Sequence, residues 1–177
     1  PEHIFFEIGF GNGEHLLSLM QDRPYDAFLG AEPFINGMGA FLKQLHHTRL
    51  QHNVRVLMDD AFFLVDSLKD KSFDGLYILN PDPWPKKKHH KRRIINQVTL
   101  SSFARILRPG GHLYVTTDSD SLAGWVVRHG MLHDAFDWTA GRCGDWRNPP
   151  YNWQPTRYET KGQQAGHRQY YLVFVRR

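Results

Sequence analysis

Three glycines alternate through Gly9-Phe10-Gly11-Asn12-Gly13, directly after the apolar run His3 to Ile8. Glycine adopts positive φ without penalty and lets backbone approach a neighbour or a ligand closely. A glycine-dense turn after an apolar run therefore reads as the corner between a buried strand and a helix. The helix is expected from Glu14 to Met20. The same alternation recurs down the chain. Ala27 to Ala31, Val54 to Met58, Phe73 to Leu79, His112 to Thr117 and Gln169 to Val175 read as strands. Phe34 to Leu45, Ala61 to Leu68 (capped by Asp60), Arg93 to Leu107 and Ser121 to about His133 read as helices, with Pro109-Gly110-Gly111 stopping the fourth. Strands alternating with helices predict an α/β fold with a doubly wound, mostly parallel sheet. Thr139 to Gly166 shows little periodicity and is expected to be a long loop.

With 177 residues, the chain is expected to form a single domain over 1–177. It opens at Pro1 and enters an apolar run almost at once, so a preceding N-terminal segment is an expectation. No apolar run is long enough to span a bilayer. Cys143 is the only cysteine. That excludes an internal disulfide and a multi-cysteine zinc site, and it fits a reducing cytoplasm.

The basic character is concentrated. Lys and Arg total 22 against 18 acidic residues. Six of the 22 fall in one octet, Lys86, Lys87, Lys88, Lys91, Arg92 and Arg93, and without them the rest carries a net −2. A concentrated cationic stretch predicts a polyanion partner.

Acidic residues stand where strands end. The glycine cluster follows the first strand, Glu32 ends the second and Asp60 the third, all on the carboxyl edge where open parallel sheets bind ligands. Glu32 is positioned to accept bonds from ribose hydroxyls; a solvated strand end is the bland alternative for it, and a helix cap for Asp60. The dinucleotide pattern needs a glycine at position 14, where Glu14 stands. An acidic residue followed by G-x-G-x-G resembles instead the cofactor loop of S-adenosylmethionine methyltransferases. After the fourth strand comes Asn80-Pro81-Asp82-Pro83-Trp84-Pro85, then the octet with His89 and His90 inside it. The prolines hold the chain extended. Asp82 is then fixed at the sheet edge, Trp84 offers a stacking face for a base, and the octet offers charge for phosphates.

These three segments, Glu7 to Gly13, Pro81 to Arg93 and Thr156-Arg157-Tyr158-Glu159, resemble the bacterial tRNA (guanine-N7-)-methyltransferases over nearly the whole chain. The resemblance implies a seven-stranded, Rossmann-like class I methyltransferase sheet, S-adenosyl-L-methionine as cofactor and tRNA as substrate, methylated at a variable-loop guanine. It further implies that Glu7, Gly9, Gly11, Glu32, Asp60 and Asp82 contact the cofactor, with Asp82 also catalytic. Lys86, Asp118, Thr156, Arg157, Tyr158 and Glu159 would contact the substrate. Lys88, His89, His90, Lys91, Arg92 and Arg93 would bind RNA. Asn80 departs from the pattern, which has phenylalanine there. No metal and no membrane are expected, and either a monomer or a homodimer fits.

Two other functions stay open at this point: methylation of an exocyclic amino group, and RNA binding without catalysis. Asn148-Pro149-Pro150-Tyr151 spells an amino-methyltransferase motif, but no buried strand precedes it. The pairs His46-His47 and His89-His90 lack further ligands at metal-binding spacing. Cys143 has no nucleophile motif around it.

Overall fold

The computed structural model describes residues 1–150 and 153–177. Seven strands form one sheet: β1 (Ile4–Ile8), β2 (Ala27–Ala31), β3 (Val54–Leu57), β4 (Phe73–Leu79), β5 (Leu107–Thr117), β6 (Phe136–Trp138) and β7 (Tyr170–Arg176). Their order across the sheet is β3-β2-β1-β4-β5-β7-β6. The first five pair in parallel, whereas β7 runs antiparallel to both β5 and β6. The helices are α1 (Glu14–Asp22), α2 (Ile35–His46), α3 (Phe62–Val65), α4 (Gln97–Ile106), α5 (Asp120–Met131) and α6 (Arg157–Gln164).

Successive strand residues point to opposite faces, and the core divides accordingly. Phe6, Ile8, Leu76, Ile78, Leu113 and Val115 pack with α4 and α5 on one face. Phe5, Phe28, Tyr77 and Leu79 pack with α1 and α2 on the other. Because β1 and β4 are central and covered on both faces, they read as continuous apolar runs. The doubly wound sheet is therefore as expected.

The differences from the sequence reading have local causes. The helix expected from Arg93 begins at Gln97, because Asn96 forms a capping box: its side chain accepts from the Val98 and Thr99 N–H groups, and Thr99 Oγ1 accepts from the Asn96 N–H. Asp60 does cap the next turn, accepting from the Phe62 N–H at 3.0 Å, but that helix is a single turn. The expected loop 139–166 contains α6, capped by Thr156 Oγ1 on the Glu159 N–H at 3.1 Å. Among the described residues, no helix is long and apolar enough to cross a membrane.

Candidate active site

The glycine loop after β1 is held by the residue that ends β2. Glu32 is buried, and each of its carboxylate oxygens takes one backbone N–H: Oε2 from Gly11 at 2.8 Å, Oε1 from Phe34 at 2.9 Å. Gly9 donates to Ala31 O at 2.7 Å. Glu32 thus fastens the loop to the start of α2 and keeps further acceptor lone pairs on the same two oxygens. Gly9 and Gly11 have φ of +70° and +57°, and a side chain at either would enter open space rather than protein. Their conformation, not their packing, demands glycine, and the space above them is free for a ligand.

Two cavities meet at this loop. The first is walled by Ala31, Glu32, Asp60, Phe62, Ile78 and Asp82, with Trp84 and Arg92 at its rim. The second lies between Glu7, Asn12 and Glu14 on one side and Thr156, Arg157, Tyr158 and Lys161 of α6 on the other. Gly9, Leu79 and Asn80 line both. The strand ends therefore bring Glu32, Asp60 and Asp82 to one cavity and Glu7 to its neighbour. Lys161 was missed by sequence reading; its signal is the helical i+4 spacing from Arg157.

Glu7 is almost wholly buried and shares a 2.8 Å hydrogen bond with His15 Nδ1. Asn80, at φ 48°, closes the end of β4. Its N–H donates to Thr116 O at 3.0 Å, and its Oδ1 accepts from Gln169 Nε2 at 2.7 Å. Gln169, 89 residues away, thus satisfies the Asn80 carbonyl, while the Asn80 Nδ2 is buried and has no partner among the described residues.

Asp82 is exposed on the cavity wall, in an irregular segment before a 3₁₀ turn at Lys87–Arg92; the chain is not extended throughout as expected, because Trp84 takes a left-handed φ of 42°. Trp84 is half-buried, with the Arg92 guanidinium 4.9 Å from its ring centroid and His89 edge-on at 5.8 Å. Lys86, Lys87, Lys88, Lys91 and Arg92 are exposed, and His89 and His90 half-buried.

Arg93 requires a correction. It is only 2% exposed, and its guanidinium donates to Pro83 O (2.9 Å), Trp84 O (3.4 Å), Ser121 O (3.3 Å) and Ser121 Oγ (2.9 Å). Those carbonyls need a donor and the charge needs partners. Arg93 therefore ties the Pro-Asp-Pro-Trp segment to α5 from inside, and its side chain does not face solvent where RNA would lie.

Glu159 requires a second correction. It is 1% exposed and accepts from Trp153 Nε1 at 3.1 Å, from Gln163 Nε2 at 3.4 Å and from the Tyr171 hydroxyl. Burial and this bond push the Tyr171 phenol well above its usual range, so it stays protonated as the donor. The Glu159 carboxylate secures α6 to β7, while Arg157 and Tyr158 of the same segment are exposed on the second cavity. Asp118 is half-buried and shares a 3.0 Å bond with His167 Nδ1.

The remaining motifs lie elsewhere. Asn148, Pro149 and Pro150 border a separate hollow with His112 and Tyr114, and Tyr151 lies outside the described residues. Cys143 is free and exposed. Among the described residues, no three His, Cys, Asp or Glu side chains gather as a metal site.

Three carboxylates, apolar walls and left-handed glycines, with Arg92 at the rim, make the first cavity suited to hydroxyls and amines on a nucleoside rather than to phosphates. The sheet order and the glycine loop define the class: the fold is that of S-adenosylmethionine-dependent methyltransferases. It superposes on an S-adenosylmethionine-dependent O-methyltransferase from Thermotoga maritima with a TM-score of 0.64 at 13% identity, over 98% of this chain and 58% of that one. It superposes equally on a precorrin-6y C5,15-methyltransferase from Geobacter metallireducens, with a TM-score of 0.64 at 13% identity, over 99% of this chain and 80% of that one. A family described as "Putative methyltransferase" matches residues 1–172. Two relatives named tRNA (guanine-N(7)-)-methyltransferase are 44% identical over 98% of this chain and 75% of the protein in Agrobacterium fabrum, and 45% identical over 99% and 75% in Rhizobium meliloti. The chain belongs to the tRNA (guanine-N(7)-)-methyltransferase family.

Proposed function

We propose that this chain transfers the methyl group of S-adenosylmethionine to N7 of a guanine in tRNA, in the variable loop by family resemblance. The observation that carries this reading is the junction at Gly9, Leu79 and Asn80, where a carboxylate-lined cavity opens into a second one flanked by α6. When bound, the cofactor supplies an electrophilic methyl on a sulfonium. The residues present fit it: Glu32 and Asp60 for hydroxyl and amino groups, Ile8, Phe62 and Ile78 for a flat base, and Gly9 and Gly11 for close backbone approach.

Guanine N7 carries a free lone pair and stays accessible in a base pair. No proton has to leave before attack, so the chain's task is placement. Asp82, on the cavity wall beside the junction, accepts from the guanine N1–H and N2–H groups or offsets the positive charge developing on the ring. Arg157 and Tyr158 border the substrate side, and Lys86 and Asp118, which line neither cavity, are assigned to the substrate by the family resemblance. Lys88, Lys91 and Arg92, with His89 and His90, take the phosphates. A cytoplasmic setting and a monomer or homodimer belong to the same reading.

Incubation with methyl-labelled cofactor and bulk tRNA, followed by nucleoside analysis, tests it. 7-Methylguanosine is expected. An amino-methylated nucleoside favours the exocyclic alternative, and cofactor binding without any methylated product favours a non-catalytic RNA-binding module.

A further inference from the structure

Helix α5 separates two surfaces. On one flank, Ser121 accepts from Arg93, and Trp125 packs against His90 at 5.4 Å and under the Arg93 guanidinium at 5.1 Å. The 3₁₀ turn carrying the exposed lysines leans on this flank. On the other flank, Asp120, Gly124 and Arg128 line a cavity whose remaining walls include Trp138, Trp146 and Tyr170. Residues 121 and 125 and residues 120, 124 and 128 form neighbouring rows about 100° apart around one helix, so the two surfaces adjoin across its outer side.

This cavity is chemically distinct from the cofactor site and shares none of its residues. Trp138 and Trp146 are half-buried, with ring centroids 6.2 Å apart. Arg147 is exposed, lies 4.2 Å from the Tyr170 ring centroid and donates to the Tyr170 hydroxyl at 3.1 Å. That hydroxyl donates in turn to Asp120 at 2.5 Å, which leaves Asp120 engaged. Arg128 is exposed at the rim. Tyr170 pairs with Thr117, and Asp120 opens α5, so the cavity reaches the sheet edge that carries the candidate active site. An adjoining hollow shares Asp120, Arg147 and Tyr170 and leads past Arg168 and His167 to Asp118. Arg128, Arg147 and Arg168 line this path, beside Asp118 and Asp120.

We propose that this aromatic cavity binds a second, unpaired nucleotide of the same RNA, its base against the tryptophan wall and its flanking phosphates on Arg128 and Arg147. Aromatic platforms beside cationic side chains are how proteins hold unstacked nucleotides. The RNA path then runs from the Lys87–Lys91 turn across α5, so the octet is half of the RNA surface rather than all of it. The inference rests on the proposed tRNA substrate.

The test is tRNA affinity measured over a salt series for wild type, the Arg128→Ala/Arg147→Ala pair and Gly124→Leu, with cofactor affinity and thermal stability read in parallel. Space around Gly124 is open to a side chain, and leucine favours helix where glycine does not. Gly124→Leu therefore fills the cavity without lowering the melting temperature. It is expected to weaken tRNA binding roughly tenfold, the scale of one lost stacking contact. The arginine pair is expected to flatten the salt slope by about 1.5, the share of two phosphate contacts. Cofactor affinity should hold in both. Wild-type tRNA affinity and slope in the arginine pair overturn the inference, whatever Gly124→Leu does. A wild-type protein that binds no tRNA overturns the substrate reading instead, which separates the two failures.

Discussion

On one wall of the cleft, Glu32, Asp60 and Asp82 sit at the ends of parallel strands, and a loop of left-handed glycines is bonded to the same strand ends. On the other wall, Arg157, Tyr158 and Lys161 ride on a short helix whose one buried residue among those described is Glu159, bonded to β7 through Tyr171. The first wall is fixed by backbone N–H groups that donate to a strand-end carboxylate. The second is held by bonds from side chain to side chain. Chemistry common to a whole fold class belongs on the first kind of support. The part that distinguishes one substrate from another fits the second, because a helix anchored at one point can be altered without disturbing the sheet.

The largest expected effect lies where the walls meet. Asp82→Asn keeps shape, removes the charge and puts a donor where guanine also donates. Turnover should fall by about 10²-fold or more with tRNA affinity unchanged, read by single-turnover methylation at saturating tRNA and cofactor. A near-wild-type rate removes Asp82 from the reaction.

Arg93→Ala comes next. It strips donors from Pro83 O, Trp84 O and Ser121, and should cost about 3 kcal/mol. That is roughly 6–12 °C in melting temperature for a domain of this size. Lys91→Ala, on the exposed turn, should leave the melting temperature in place. Equal effects of the two would put Arg93 back among the surface cations.

Glu159→Ala sharpens the contrast between walls. It leaves the Trp153 indole and the Tyr171 hydroxyl without their acceptor, at about 1–3 kcal/mol. Hydrogen exchange should speed up over 157–164 and KM for tRNA should rise, with cofactor affinity unaltered. Loss of cofactor affinity would merge the walls into one unit.

A smaller effect is pH-dependent. Burial lowers the His129 imidazole below its usual value, with Arg128 adding to the shift. The folded state then resists its protonation, so stability present above the unfolded imidazole value of about 6.5 declines as pH falls through the lower folded value. A thermal melt series from neutral to acid should show the decline, and His129→Gln should reduce it. An unchanged series in the variant excludes His129 as a source.

The same contrast explains what the sequence revealed. β1, β2, β4 and the glycine loop were legible because apolar runs and turn chemistry are local signals. Asp82 was legible because three prolines frame it. Arg93 and Glu159 were not, since their partners Ser121 and Tyr171 lie 28 and 12 residues away and an exposed and a buried charge look alike in sequence. Helix α6 buries only Glu159, so it has no apolar stripe to detect. β6 has three residues, too few to show a period.

The division of the cleft is tested most directly by measuring cofactor and tRNA affinities side by side in Glu32→Ala and in the Lys87→Ala/Lys88→Ala/Lys91→Ala triple, which spares Arg92 because that side chain rims the cofactor cavity. Glu32→Ala should lose cofactor affinity by about 1–3 kcal/mol and keep tRNA affinity. The triple should keep cofactor affinity and lose about 2–3 from its tRNA salt slope. Cofactor affinity that survives Glu32→Ala, or falls in the lysine triple, would contradict a cleft divided into a cofactor wall and an RNA wall.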